Sequence, residues 1–572
     1  MHLLHGDHRF IALAFNVETC FLFPIHPAAM VFGNKMNKSI LLKKTAIVWP
    51  APPIARVYSL VVSIVVPLVV PLIVPLALLA LWYISTHYGW MPAQILPAPY
   101  IVAKTAAELW HNDLLPQLFI SLQRLASGLL AGLLAGTLLG ALMGASRRAE
   151  HLLHPTVYAL AQIPTLGWIP LFMVLFGIDD GLKLAVIIKA VIIPVTLHTQ
   201  TGVRNVPPAL QEVARTLRLP WHQRLIKLTL PAALPTWLTG LRLAISQAWV
   251  SLIVVELLAS SQGIGYLLVW GRQLFQLDIV FVCIAVIGLA GLAMEWAINQ
   301  LERRLVFWPH PPLGRLTSTP SRRLSALVLP FLLLLLWQQA SHLGWIDPSL
   351  LPPPADVWHT LLQGVRDGSL TDAMQASVTR ALAGAVCGIA AGLVCGVLLG
   401  LNATSDALFT PTVATLRQIA LFAWLPLLTA WVGNDEAGKI TFVALASFFP
   451  MLVASHRGIR QRSTALQEVA QVLQIRLSTR LRVLILPGAA PAIFAGLRLS
   501  LIYAWLGTIG AEYFMSSGTG IGSLMINAQQ LLDMPLIISG MLLIGLTGAV
   551  LDRVGLGLEQ RMTRWRSAGE IA

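Results

Sequence analysis

The stretch QEVARTLRLPWHQRLIKLTLP, Gln211 to Pro231, is answered 256 residues later by QEVAQVLQIRLSTRLRVLILP, Gln467 to Pro487. The rest of the chain keeps the same period. LWYISTHYGW at Leu81 recurs as LWQQASHLGW at Leu336, and Gly240-Leu241-Arg242-Leu243 recurs as Gly496-Leu497-Arg498-Leu499. Gly128, Gly132, Gly136, Gly140 and Gly144 form a ladder that returns as Gly384, Gly388, Gly392, Gly396 and Gly400. The register drifts by one residue at most, so the chain is a fused duplication whose halves must build the same fold.

Both halves are written in apolar residues. Of 572 residues, 56% are hydrophobic and 11% charged, with a mean hydropathy of +0.74. A soluble domain carries about 25% charged residues, so this apolar surface is made for lipid. Crossing hydrocarbon takes about 20 apolar residues. Val61 to Ile84 and Ala326 to Trp337 are the plainest runs, the second cut short by its polar flank. Spans are expected near 58–84, 119–144, 155–176, 182–199, 236–258 and 279–300, then near 325–342, 376–400, 411–432, 438–456, 492–514 and 536–552. The fold class is an all-α polytopic membrane protein. About 12 transmembrane helices are expected, in two six-helix bundles.

Basic residues orient the spans, because Lys and Arg collect in cytoplasmic loops. Lys35, Lys38, Lys43, Lys44 and Arg56 precede the first span, and Arg147 and Arg148 follow the second. Arg204 to Lys227 follow the fourth, and Arg303 and Arg304 the sixth. Loops of the other set hold Asp179, Asp180, Asp435 and Glu436. Both termini and both repeated stretches are therefore expected in the cytoplasm. An even number of spans per half makes a parallel repeat about an axis along the membrane normal. The net charge of +14 reflects this topology; with no aromatic-basic platform, no nucleic-acid partner is expected.

WPHPPLGRLTSTPSRRLS, Trp308 to Ser325, interrupts the helices. It divides the chain into a first domain at 46–308, a cytoplasmic linker at 309–325 and a second domain at 326–572. The first 45 residues have no counterpart. Met36 opens MNKSILLKK, a cytoplasmic-type start, so the residues before it read as an extension or a mis-called start. His2, His5 and His8 in that extension read as a chance cluster. Cys20, Cys283, Cys387 and Cys395 form no CxxC pair, and three lie in apolar spans as packing residues.

The repeated stretch resembles the coupling motif of ATP-binding-cassette importer permeases, a Glu-Ala-Ala start followed by Gly and then Ile-x-Leu-Pro. Glu212, Val213 and Ala214 match its start, and Leu228, Leu230 and Pro231 its end. In the second half Glu468, Val469, Ala470, Leu484, Leu486 and Pro487 match. Arg218 and Gln474 stand where the family has Gly, which implies a more continuous helix or a differently shaped turn. AQIPTLGWIPLF at Ala161, RQIALFAWLPLL at Arg417, SSQGIGYLL after Glu256 and SSGTGIGSLM after Glu512 are similar to the nitrate/sulfonate/taurine branch of these permeases. The resemblance implies a bacterial inner-membrane permease that is not itself an enzyme. It further implies two copies of a separate ATPase holding ATP and Mg, an external solute-binding protein, and no cofactor bound by this chain. GNDEAGKI, Gly433 to Ile440, has phosphate-loop spacing but lacks the Ser or Thr for magnesium and carries Asp435 and Glu436. It is a decoy.

Polar groups inside spans are candidate pathway residues. Gln162 pairs with Gln418 across the repeat and Trp168 with Trp424, each tryptophan shortly before a proline, Pro170 or Pro426. Gln247 has Tyr503 opposite it, and Glu256 and Glu512 end the fifth span of each half. For these, interhelical hydrogen bonds or loop capping compete with substrate contact. Lys189, in LAVIIKAVIIP, has only Leu445 as counterpart and would suit a small oxyanion. An ion-coupled secondary transporter with parallel repeats is the competing reading; it gives the two basic stretches no purpose.

Overall fold

A glycine at every fourth position cuts a smooth groove along a helix, and in the computed structural model of the protein another helix fills it. The structure describes residues 53–308, 325–345, 347–461, 464–515 and 517–563. The N-terminal extension, with its histidines and Cys20, lies outside the described residues. So does nearly all of the linker.

The first half is built from α1 (Pro53–His87), α2 (Pro99–Leu109), α3 (Leu115–Ala145), α4 (Arg147–Gln162), α5 (Ile169–Phe176), α6 (Asp180–Arg204), α7 (Pro208–Thr216), α8 (Leu230–Ala259), α9 (Ile264–Gln273) and α10 (Leu277–Leu305). The second half repeats them in order as α11 (Ser325–His342), α12 (Pro354–Arg366), α13 (Ser369–Leu401), α14 (Ala403–Gln418), α15 (Leu425–Trp431), α16 (Glu436–Arg460), α17 (Thr464–Val472), α18 (Leu486–Phe514), α19 (Ile521–Gln530) and α20 (Met534–Met562). Among the described residues nine helices are long and apolar enough to cross a membrane, two bent pairs could each add one, and α11 is a shorter apolar helix. Ten of the twelve expected segments are continuous helix.

The glycine ladder of α3 lies along α6, and that of α13 along α16. A Cβ on Gly128 would come 2.6 Å from Ile187, on Gly132 2.6 Å from Val191, on Gly136 2.9 Å from Val195 and on Gly144 2.7 Å from Val203. The partners step by four as the glycines do, so the helices meet backbone to side chain over five turns. In lipid, where burial of apolar groups gives helices little reason to associate, such close van der Waals approach is the attraction available. The opposite face of α3 carries Leu130, Leu134 and Leu138, all more than 60% exposed, and is made for hydrocarbon.

Two expected spans are corrected. Segments 155–176 and 411–432 are each two helices meeting at about a right angle, 90° between α4 and the Thr165–Phe176 helix and 92° at the second bend. In the first bend Ile163 is extended (φ −85°, ψ 113°) because Pro164 disfavours a helical residue before it. The second bend has the same shape with Ala420 in place of proline, so packing imposes it. Pro170 and Pro426 do not interrupt a span; they sit in the first turns of α5 and α15, where a missing N–H leaves nothing unsatisfied.

The bends interlock the halves. Ile163 packs on Gly545 of α20, and the carbonyl of Gln162 faces Gly548. Reciprocally, Ile419 packs on Gly288 of α10, and the carbonyl of Gln418 faces Gly291. The described residues from Leu76 onward accordingly form one unit.

Replacing Gly132 by Leu should lower the midpoint of thermal unfolding in detergent by the equivalent of about 1–3 kcal/mol or more. Leu134→Ala, at a site 68% exposed, should shift it far less. Equal shifts would show that the ladder contact is not what holds α3 to α6.

Candidate functional site

Both repeated stretches fold into the same device. α7 ends in a Schellman turn: Leu217 N–H donates to Val213 C=O (2.9 Å), Arg218 to Arg215 (3.0 Å) and Leu219 to Ala214 (3.0 Å). Residues 473–475 repeat the pattern onto Val469, Gln471 and Ala470. Arg218 (φ 48°) and Gln474 (φ 47°) adopt the left-handed backbone that glycine takes at this place. The expectation of a more continuous helix is thereby corrected. The turn keeps its geometry because three backbone hydrogen bonds outweigh the left-handed cost of about 1–2 kcal/mol.

After the turn a short helix, Trp221–Arg224, passes through a π turn at Leu225–Thr229 into α8. The π turn precedes Pro231, whose ring nitrogen has no hydrogen to donate to the preceding turn. Pro487 follows Leu481–Ile485 in the same way. Ala214 and Ala470 face inward at 3% and 4% exposure. Glu212, Val213, Glu468 and Val469 face outward, as do Leu230 and Leu486, while Leu228 and Leu484 are half-buried. Around them Leu217, Trp221, Val472, Leu473 and Val483 are 64–82% exposed. Each half thus presents a short helix with an uncovered apolar surface, edged in the first half by Arg215, Arg218 and Lys227.

At the opposite ends of α8 and α18 lies a buried polar cluster that motif matching missed. Glu256 is 1% exposed. Its carboxylate accepts from Ser121 Oγ (2.8 Å), Arg124 Nη1 (3.1 Å) and Gly265 N–H (3.0 Å). Arg124 also holds Asp180 (2.8 Å) and donates to Gln262 C=O (2.9 Å). The second half repeats this with Glu512, Ser377, Arg380, Glu436 and Gly522. Glu256 and Glu512 therefore cap the loops leading into α9 and α19. Gly265 is required here because a Cβ would fall 2.6 Å from that of Glu256. Lys439, from the phosphate-loop lookalike, folds into the second cluster 3.7 Å from Glu436. The 256-residue offset of Ser121, Arg124 and Lys183 to Ser377, Arg380 and Lys439 was the available signal.

The remaining candidates gather near the bends. Gln162 and Gln418 are the last residues of α4 and α14, and Trp168 and Trp424 close the 3-10 turns that follow. The first turn touches α18 and the second touches α8. Gln247 is exposed midway along α8, and Tyr503, at the equivalent place on α18, is 43% exposed. Lys189 Nζ reaches into the first bend, donating to Ile163 C=O (2.7 Å) and Thr165 Oγ1 (3.3 Å), with the Trp168 ring 5.8 Å away.

Two pseudo-equivalent bundles, interlocked at their bends and carrying paired amphipathic helix-turn elements at one end, define a membrane permease of duplicated type. Residues 128–307 and 388–564 match the family described as binding-protein-dependent transport system inner membrane component, and the chain belongs to that family. It is 38% identical over 232 residues to the putative aliphatic sulfonates transport permease protein SsuC of Bacillus subtilis, covering 40% of this chain and 84% of the relative. The SsuC of Escherichia coli is 35% identical over 237 residues, covering 40% and 88%. The taurine transport system permease protein TauC of Escherichia coli is 30% identical over 242 residues, covering 40% and 86%. Each relative matches one half's worth of this chain, as a fusion of two permease units requires. The chain is a multi-pass membrane permease of the ATP-binding-cassette type, which displaces the secondary-transporter reading.

Arg218→Gly should leave the fold intact and raise stability by up to about 1 kcal/mol, whereas Arg218→Val should lower it, since a β-branched residue tolerates the left-handed region poorly. Thermal unfolding in detergent reads both. Removing one partner of the buried pair, by Arg124→Ala or Glu256→Ala, should cost about 3–5 kcal/mol because the other charge stays buried. Double replacement that cost as much as the two singles added would rule out that coupling.

Proposed function

We propose that this chain forms the whole translocation pathway of an importer for small organic anions of the sulfonate class, with two copies of a separate ATPase docked on α7 and α17. The observation that carries this reading is the pair of helix-turn devices with uncovered apolar faces. A soluble partner with a groove for a short amphipathic helix suits them. Two such helices in one chain match two ATPase copies. ATP and Mg would be held by that partner, and no cofactor by this chain.

Glu212 and Glu468 lie midway along these short helices, exposed, and offer a charged contact. Closure of the two ATPases on ATP would move α7 and α17, and through the π turns the long helices α8 and α18 that carry Gln247 and Tyr503. The bends at Gln162–Trp168 and Gln418–Trp424, each against the other half's long helix, would then be the elements that part and close. The sulfonate assignment draws on the relatives named for aliphatic sulfonates and taurine. An external binding protein would deliver the solute. The basic residues flanking the expected spans support a bacterial inner-membrane orientation with both termini and both docking helices in the cytoplasm.

Purification of the tagged chain in mild detergent should bring an ATPase with it, identified by mass spectrometry. Val213→Asp with Val469→Asp places a charge at the centre of each docking face and should cut the co-purified ATPase by roughly tenfold or more. Glu212→Ala with Glu468→Ala should cut it less. Solute uptake by the chain alone, driven by an ion gradient and indifferent to these changes, would overturn the proposal.

A further inference from the structure

The bend of the first half holds a lysine that meets two neutral oxygens and the face of an indole ring. Arg124, Arg204 and Arg242, and their counterparts in the second half, each pair with a carboxylate. Lys189 is enclosed by protein while keeping a small accessible surface. Its two bonded partners, Ile163 C=O and Thr165 Oγ1, are neutral. No carboxylate among the described residues lies within ion-pair distance of it. An ammonium inside the membrane is costly unless an opposite charge or water meets it. Of its three N–H groups, two go to these oxygens.

Beside it stands a second donor without an acceptor. The indole Nε1 of Trp168 is buried and has no partner among the described residues, and Lys189 Nζ lies over the face of the same ring, 5.8 Å from its centre. The third N–H of Lys189 and this indole N–H are thus two donors on one bend left for an acceptor, and an oxyanion offers several. The location is also right for cargo. Ile163 and Gly167 of this bend pack on Gly545 and Ile544 of the opposite half, so an anion there would lie at the seam between the bundles. The second bend has Leu445 and Leu421 where the first has Lys189 and Thr165.

We infer that Lys189 and Trp168 form a binding site for the sulfonate or similar oxyanion group of the solute, present in the first half alone. The pathway is then one-sided: the first half holds the charged group and the second supplies an apolar wall. That the anion is cargo rests on the import reading; the site itself does not.

The test is calorimetric binding of ethanesulfonate to the full chain with its ATPase in lipid nanodiscs, with dimethyl sulfone as the uncharged control. Wild type is expected to bind the sulfonate and not the sulfone. Lys189→Arg should stay within about threefold, while Lys189→Met and Lys189→Gln should weaken binding by roughly tenfold to a hundredfold, the range for a hydrogen bond to a charged group. Lys189→Gln is the decisive variant. Its amide can still brace the Ile163 carbonyl, so a bracing role alone predicts wild-type binding, and that result would overturn the site. Trp168→Phe keeps the ring and removes only the N–H; it should weaken binding several-fold, and unchanged affinity would equally overturn the proposal, even if the lysine variants fail to fold. No sulfonate binding by wild type would do so as well. ATP-driven ethanesulfonate uptake, measured in parallel, tests the import reading separately: binding without uptake supports the site and removes the import.

Discussion

Everything in this molecule hangs on how closely α3 approaches α6, and α13 approaches α16. With hydrocarbon outside, apolar side chains gain little by turning inward, so helices associate through the number of atoms they bring into contact. Five glycines in a row of fours let the partner's Ile187, Val191 and Val195 settle onto bare backbone. That contact fixes α6, which packs against α8, and α8 joins the helix-turn element at one end to the buried cluster at the other. A shift along the ladder would displace both.

The buried clusters do for the loops what the ladders do for the helices. A carboxylate such as Glu256, in a site with 1% exposure, is tolerable because a guanidinium, a hydroxyl and a backbone N–H all meet it. Arg124 in turn ties three elements, α3, α6 and the loop after α8, through one planar group able to form several directed bonds. The arrangement cross-links the end of the bundle away from α7 and α17. The other end, where Arg218 and Gln474 hold strained turns, joins to the long helices through π turns, and helical irregularities of this kind recur at functional positions.

Duplication made the halves alike, and their differences are where specificity can enter. The second bend keeps its right angle without the proline of the first, so the fold there no longer needs that local signal. Freed from a strictly symmetric pattern, the first bend carries Lys189 and Thr165 where the second has two leucines. A symmetric pathway through a two-fold axis cannot offer a single small anion one preferred side; a fused chain can.

The sequence by itself determined the repeat, the membrane class, the position of the two basic amphipathic stretches and the packing of the glycine ladder. All of these are carried by periodicity and spacing along a chain, and periodicity survives without coordinates. It even flagged Arg218 and Gln474, though it expected an altered turn; only the backbone hydrogen bonds to Val213, Arg215 and Ala214 revealed that the turn was kept. The bends were half legible, since Pro164 marks one and nothing marks the other. Which partners Glu256 and Lys189 find was decided by tertiary structure alone. Arg124 and Glu256 lie 132 residues apart, and no pattern of neighbours tells a charge in one helix which groups will meet it from another. The same limit explains why the ring of donors about Glu256, and the neutral oxygens and indole face that Lys189 meets, left no trace in an apolar run of letters.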